Sequence, residues 1–124
     1  TLHYFAFWET PLKLKRRFAA RFFLAELPFG HYARHDGREL TNSRWMTVAA
    51  VLDAEREGRI TLPFPTQMNL RRMEPFASVE SLIAWAREQA SVGVSKIRPV
   101  ILEEGGERRF VIPGDADYLE DSEA

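Results

Sequence analysis

The feature that most constrains the fold is a run of alternating side chains over residues 17–27. One side of this stretch carries four apolar or small residues, Phe18, Ala20, Phe22 and Leu24. Successive side chains of a strand point to opposite faces, so the period of two predicts a long strand with one apolar face. Because the run is long and largely apolar, we expect the strand to be central in a mixed sheet, with Phe18, Phe22 and Leu24 buried.

Shorter patterns indicate further strands on both sides of this run. Residues 2–8 and residues 97–102 are apolar enough to be buried strands, and residues 39–46 predict a short strand. Residues 104–107 contain two adjacent glycines, which is typical of a hairpin turn. The chain should then return as a strand over residues 108–112.

Three helices are predicted between these strands. Thr47 is a good N-cap for a helix that runs to about residue 57, and Gly58 should end it. A second helix is expected over residues 66–73. Ser78 should cap a third helix, whose apolar face is Val79, Leu82, Ile83 and Ala86. Strands and helices together predict the α/β (α+β) class.

Length and composition limit the class of protein. The chain has 124 residues, which suits one domain with an ordinary core. No apolar run approaches the roughly 18 residues that a membrane helix needs, and no signal peptide opens the chain, so we expect no membrane partner. The chain has no Cys, which excludes disulfides and zinc–thiolate sites. The cytoplasm is the expected compartment.

Charge is distributed unevenly along the chain. Residues 1–72 carry 12 Lys and Arg against 7 Asp and Glu, whereas residues 73–124 carry 5 against 11. A basic first part suits an anionic ligand such as a phosphate, although ordinary scatter of surface charge would give the same numbers. No aromatic-basic ribonucleoprotein motif occurs, so we expect no nucleic-acid partner.

Two groups of residues are candidates for chemistry. Arg17 and Arg21 lie four apart on the predicted long strand and should share a face. With Lys13, Lys15 and Arg16, they could hold a diphosphate, since guanidinium makes bidentate hydrogen bonds to phosphate oxygens; the alternative is a solvated strand end. Glu39 opens a strand after a polar loop, where a carboxylate can bind Mg²⁺ or orient water. The alternative for Glu39 is a surface ion pair with a neighbouring arginine.

Five segments occur in an order that resembles the Nudix hydrolase family, in its coenzyme A diphosphatase-like branch. They are Trp8-Glu9-Thr10-Pro11, Arg16-Arg17-Phe18 to Ala25, Arg38-Glu39 to Trp45-Met46, Pro65-Thr66, and Pro113-Gly114-Asp115. The resemblance implies a Nudix-like α/β/α sandwich with a mixed sheet. It also implies hydrolysis of a nucleoside diphosphate linked to another moiety, with coenzyme A or a derivative as a candidate, and the use of Mg²⁺ or Mn²⁺.

The glutamate-rich Nudix box of that family does not occur in this chain. Arg-Glu pairs are present at residues 38–39, 56–57 and 87–88, but none is followed by the two glutamates that the box requires. We therefore expect the box in sequence before Thr1, and we expect the chain alone to be inactive. On this interpretation, residues 1–118 are the C-terminal portion of one Nudix-like domain that is incomplete at its N-terminus, and residues 119–124 are an acidic mobile tail.

The resemblance also assigns roles to the candidate residues. Glu39 would be a catalytic carboxylate and metal ligand, and Arg17 and Arg21 would bind the small-molecule diphosphate substrate. Further partners would be the missing N-terminal half or a second copy of the chain. Ala19 and Ala20 stand where the branch usually has Asp and Thr, so its coenzyme A specificity does not carry over directly. The alternative function is a non-catalytic Nudix-like binding or assembly module.

Overall fold

A computed structural model of the protein describes residues 1–28 and 45–118. The strands and helices in this part of the chain confirm the predicted α/β class. In chain order they are β1 (Leu2–Glu9), β2 (Ala19–Ala25), α1 (Val48–Arg56), α2 (Phe64–Met73), α3 (Val79–Val92), β3 (Lys96–Ile97), β4 (Val100–Glu104) and β5 (Glu107–Val111). The chain divides into a helical unit, Thr1 with Ala25–Trp85, and a strand unit, which joins Leu2–Leu24 to the residues from Ala86 onward.

Local hydrogen bonds fix both ends of α1 where the sequence predicted them. The Thr47 hydroxyl accepts the N–H of Ala50 at 3.1 Å, as an N-cap should. At the other end Gly58 adopts a φ of 76°, a left-handed conformation that glycine enters at little cost. The next N–H, that of Arg59, then reaches back to the Ala54 carbonyl at 2.9 Å, so the exposed carbonyls of the last turn are satisfied.

The other two helices differ from prediction only in detail. α2 begins at Phe64, two residues early, because Pro65 is compatible with the first turn of a helix. α3 follows Ser78, whose hydroxyl accepts the N–H of Ser81 at 3.1 Å, as predicted. On the predicted apolar face of α3, Ile83 and Ala86 are buried, but Val79 is exposed. Val79 keeps the spacing of that face but is left uncovered as the first residue of the helix.

The strand unit contains two sheets. The first has the strand order β2-β1-β3, and β1 runs parallel to β3 with Phe7 opposite Lys96. The second is the antiparallel hairpin β4-β5, whose turn glycines Gly105 and Gly106 have positive φ, as predicted. The prediction of a single strand over residues 97–102 was wrong. Pro99 has no N–H to donate to a sheet, so the chain leaves β3 before it and joins the other sheet after it.

The core of the strand unit comes from β1 and the hairpin. Its buried apolar side chains include Phe5, Ala6, Trp8, Val100, Ile101 and Val111. In β1 both faces contribute buried residues, because Ala6 and Trp8 lie on one face and Phe5 on the other. β1, rather than β2, is therefore the central strand of this unit in the described part of the chain.

The prediction that the strand over residues 17–27 is buried was wrong. β2 is shorter than predicted and lies at the end of the three-strand order among the described residues. Alternation is present, but Phe22 and Leu24 are only half-buried and Phe18 is 69% exposed. A period of two shows which side chains share a face; it does not show how completely another layer covers that face.

Two truncations should separate the true core from this strand. Ile101→Ala removes a side chain that is 2% exposed and should lower the free energy of unfolding by about 2–5 kcal/mol. Phe22→Ala, at a half-buried position, should cost less than half as much, although it removes more atoms. Urea unfolding of both variants, followed by circular dichroism, makes the comparison. An equal or larger loss of unfolding free energy for Phe22→Ala would indicate that β2 is part of the core.

Candidate functional site

The candidate site lies at the carboxyl ends of β1 and β3. Because the two strands are parallel, with Trp8 opposite Ile97, both end at the same edge of the sheet. Glu9, the last residue of β1, therefore lies near the residues that close β3. In open α/β sheets this edge is where ligands most often bind, since loops there leave the strands together.

Glu9 is held by two basic side chains from the β3 region. Lys96 Nζ lies 2.8 Å from one carboxylate oxygen, and an Arg98 guanidinium nitrogen lies 3.9 Å from the other. Arg98 is itself fixed, because Pro99 restricts its backbone and the Tyr118 hydroxyl donates to its carbonyl at 3.1 Å. No role was predicted from the sequence for Glu9, Lys96 or Arg98. Lys96 and Arg98 stand close to Pro99, but no local pattern links them to Glu9.

The basic loop between β1 and β2 is tied down at its ends. The Thr10 N–H donates to the Phe18 carbonyl at 3.0 Å, and the Phe18 N–H donates to the Thr10 hydroxyl at 3.1 Å. Lys13 reaches across to β4, where its ammonium group donates to the Ile101 carbonyl at 3.2 Å. Lys13 therefore anchors the loop, which is a different use from the phosphate contact considered from the sequence.

Arg17 faces an open depression beside Glu9. The depression has a volume of about 310 Å³ and is lined by Glu9, Arg17, Phe18 and Ala19. In the part of the chain that the structure describes, no ion pair or hydrogen bond engages the Arg17 guanidinium. The side chain is exposed, so its five N–H donors can reach a ligand in the depression.

Arg21 has a different environment from Arg17. Its guanidinium carbon lies 4.4 Å from the centre of the Phe7 ring, a stacked cation–π contact across two neighbouring strands. Arg17 precedes β2 whereas Arg21 lies within it, so the two arginines do not lie on one strand as predicted. Stacking fixes the plane of Arg21 and leaves its outer donors accessible.

The cations around Glu9 lower the pKa of its carboxyl group. The hydrogen bond from Lys96 is the main cause; burial opposes it, and the charges of Lys96, Arg98 and Arg17 add to the lowering. Since the pKa in the folded state lies below the ordinary 4.5, Glu9 stabilises the fold at neutral pH. That stabilisation is lost as the pH falls through the lowered pKa.

A pH series should expose this contribution. The free energy of unfolding of the wild type should fall more steeply below about pH 4.5 than that of Glu9→Gln, which has no carboxyl to protonate. Urea midpoints measured between about pH 6 and 3 test this, with Glu107→Gln as a control that removes an exposed carboxylate from β5. Parallel curves for wild type and Glu9→Gln would mean that Glu9 is not stabilised by its cations.

The predicted metal ligand, Glu39, lies outside the described residues, as does the acidic stretch 119–124. Within residues 1–28 and 45–118, no three His, Asp or Glu side chains come together as a metal site would require. Two acids near the end of the described residues have protein partners. Asp117 pairs with Arg109 at 2.6 Å, and Asp115 accepts the N–H of Ile112 at 2.9 Å. The described residues therefore do not by themselves fit a divalent metal ion.

None of the helices in the described part of the chain combines the length and apolar character needed to cross a membrane.

No protein-family model matches the chain. No solved structure matches it significantly.

Two curated proteins are similar to almost the whole chain. The acyl-coenzyme A diphosphatase NUDT19 of Homo sapiens is 31% identical over 124 residues, which cover 98% of this chain and 33% of the human protein. The protein of the same name from Xenopus laevis is 28% identical over 118 residues, or 92% of this chain and 31% of its own length. The chain thus spans about a third of the length of these relatives. Over nearly its whole length the chain is therefore homologous to a stretch of these two proteins.

Proposed function

We propose that the chain is the C-terminal portion of a Nudix-type hydrolase that cleaves a nucleoside diphosphate linked to another moiety. The observation that carries the proposal is the 31% identity to an acyl-coenzyme A diphosphatase across 98% of the chain. Coenzyme A or an acylated derivative is the leading substrate, because that is the substrate class named for the relatives. Ala19 and Ala20 weigh against an unchanged specificity, since the residues usual there in the branch are polar.

In this proposal Arg17, just before β2, and Arg21, within β2, bind the diphosphate. Arg17 offers its guanidinium to the depression beside Glu9, and Arg21 offers the donors that its stack on Phe7 leaves accessible. Hydrolysis of a phosphoric anhydride spreads negative charge over the phosphoryl oxygens as the bond to the leaving group breaks. Guanidinium groups aligned beforehand stabilise that charge without having to reorganise during the reaction.

Glu39 is the proposed catalytic carboxylate of this portion. A carboxylate near the attacking water can accept its proton as the oxygen–phosphorus bond forms, and it can also ligate a divalent metal. The proposal for the complete enzyme includes Mg²⁺ or Mn²⁺, held mainly by the glutamate box of the remaining sequence. Residues 1–118 would complete that domain, either within one polypeptide or against a second copy, in the cytoplasm.

The coding sequence upstream of Thr1 offers an inexpensive test. The hydrolase proposal expects a complete glutamate box there, with both glutamates after its Arg-Glu pair. A coding sequence that opens at Thr1, or an upstream segment in which those glutamates are replaced, would contradict it. The homology would then support a binding or assembly module that keeps the fold and lacks the chemistry.

A further inference from the structure

Four charged side chains gather at the carboxyl ends of β1 and β3: Glu9, Arg17, Lys96 and Arg98, called here the Glu9 cluster. We propose that the Glu9 cluster is a phosphate subsite in which the Glu9 carboxylate pairs with the basic side chains until a ligand phosphate takes its place. Glu9 acts as a built-in competing anion, and the exchange is purely electrostatic, with no covalent step.

The position of the cluster favours a ligand site. Parallel pairing of β1 and β3 brings residues distant in sequence to one edge of the sheet, and the basic loop leaves β1 at that same edge. Glu9 and Arg17 line the open depression directly, while Lys96 and Arg98 approach it through their contacts with Glu9. An anion in the depression would therefore lie beside both Arg17 and Glu9.

The charge balance favours an anion. Three basic side chains act on one carboxylate, so the cluster carries a net excess of two positive charges. Three acids on or after the hairpin are engaged elsewhere: Glu103 pairs with Arg108 at 3.4 Å, and Arg109 pairs with Glu104 at 3.8 Å and with Asp117 at 2.6 Å. A phosphate group of charge near −2 would match this excess and would offer more acceptor oxygens than a carboxylate.

The geometry of Glu9 suits a displaceable counter-ion. Its side chain remains 25% exposed, and its closest partner, Lys96, is half exposed on a flexible stem. Both can therefore rearrange without disturbing the core. Arg98 is less mobile, because its backbone carbonyl accepts a hydrogen bond from the Tyr118 hydroxyl. Its guanidinium would therefore stay at this edge of the sheet while the Glu9 carboxylate turns away.

This subsite deepens the proposed function, since it gives the diphosphate of the substrate a place to bind, and to that extent it rests on it. Its test uses binding alone. Inorganic pyrophosphate is titrated into the 124-residue chain by calorimetry at low salt, with circular dichroism to confirm that each variant is folded. Failure of catalysis in the complete enzyme would leave this binding intact, whereas failure of binding would leave catalysis to be tested separately.

Two matched pairs of variants remove the same charge inside and outside the cluster. Arg17→Ala should weaken pyrophosphate binding about tenfold, while Arg108→Ala, on exposed β5, should change it less than twofold. Glu9→Gln should tighten binding about three- to tenfold, because it removes the competing anion, and Glu107→Gln should have little effect. Binding should weaken as salt is raised.

The following results would overturn the proposal. One is that the wild type does not bind pyrophosphate. A second is that Arg17→Ala and Arg108→Ala weaken binding equally, which would mean a general attraction of the anion to a basic surface. A third is that Glu9→Gln, shown to be folded, weakens binding as Arg17→Ala does. The last result would mean that Glu9 holds the basic side chains in place and does not compete with the ligand for them.

Discussion

In the complete enzyme, Glu39→Gln is expected to lower kcat at least tenfold, and by about two to four orders of magnitude if the carboxylate is the general base. The substitution keeps the shape of the side chain and removes its charge, so it separates chemistry from packing. We expect the thermal midpoint to stay nearly unchanged. Steady-state turnover of coenzyme A, measured across a titration of Mg²⁺ or Mn²⁺, provides the value.

A matched control distinguishes a loss of chemistry from a general loss of negative charge. Glu26→Gln removes the same charge from an exposed position just after β2 and should leave kcat within about twofold. If Glu39→Gln instead keeps full turnover across the metal titration, Glu39 is an ion-pair partner of Arg38 or Arg44 only. Substrate binding by the arginines would then be the sole contribution of this portion of the chain.

Features governed by neighbours in sequence were predicted well. The ends of α1 and the start of α3 depend on hydrogen bonds that span a few residues, such as those of Thr47 and Ser78, so the sequence contains all the necessary information. The same holds for the hairpin at Gly105 and Gly106, whose positive φ values suit residues without a side chain.

Features that depend on distant partners were predicted poorly. The alternation along β2 correctly separated its two faces, but the half-burial of Phe22 depends on what other elements cover, which alternation cannot reveal. The prediction of a single strand over residues 97–102 did not take Pro99 into account, although a proline inside an apolar run is a signal available from sequence. That signal could also have drawn attention to Arg98 beside it.

One residue of the candidate site, Arg17, was also a candidate from the sequence. Arg17 was chosen because it belongs to a basic cluster, and it does face an open depression. Glu9 was missed because a single carboxylate at the end of a strand has no distinguishing spacing. Its partners Lys96 and Arg98 reach it only through the parallel pairing of β1 with β3, a long-range contact. The role of Glu39 depends on the family resemblance and stays a prediction.

The central claim is that this chain supplies substrate-binding residues of a diphosphatase whose hydrolytic glutamates lie outside it. The most direct measurement compares release of phosphorylated product from coenzyme A, ADP-ribose and NADH by the chain alone and by the complete protein, with Mg²⁺ or Mn²⁺. We predict chelator-sensitive hydrolysis of at least one substrate by the complete protein and none by the chain alone. Chelator-sensitive hydrolysis by the chain alone, or binding without hydrolysis by the complete protein, would contradict the account.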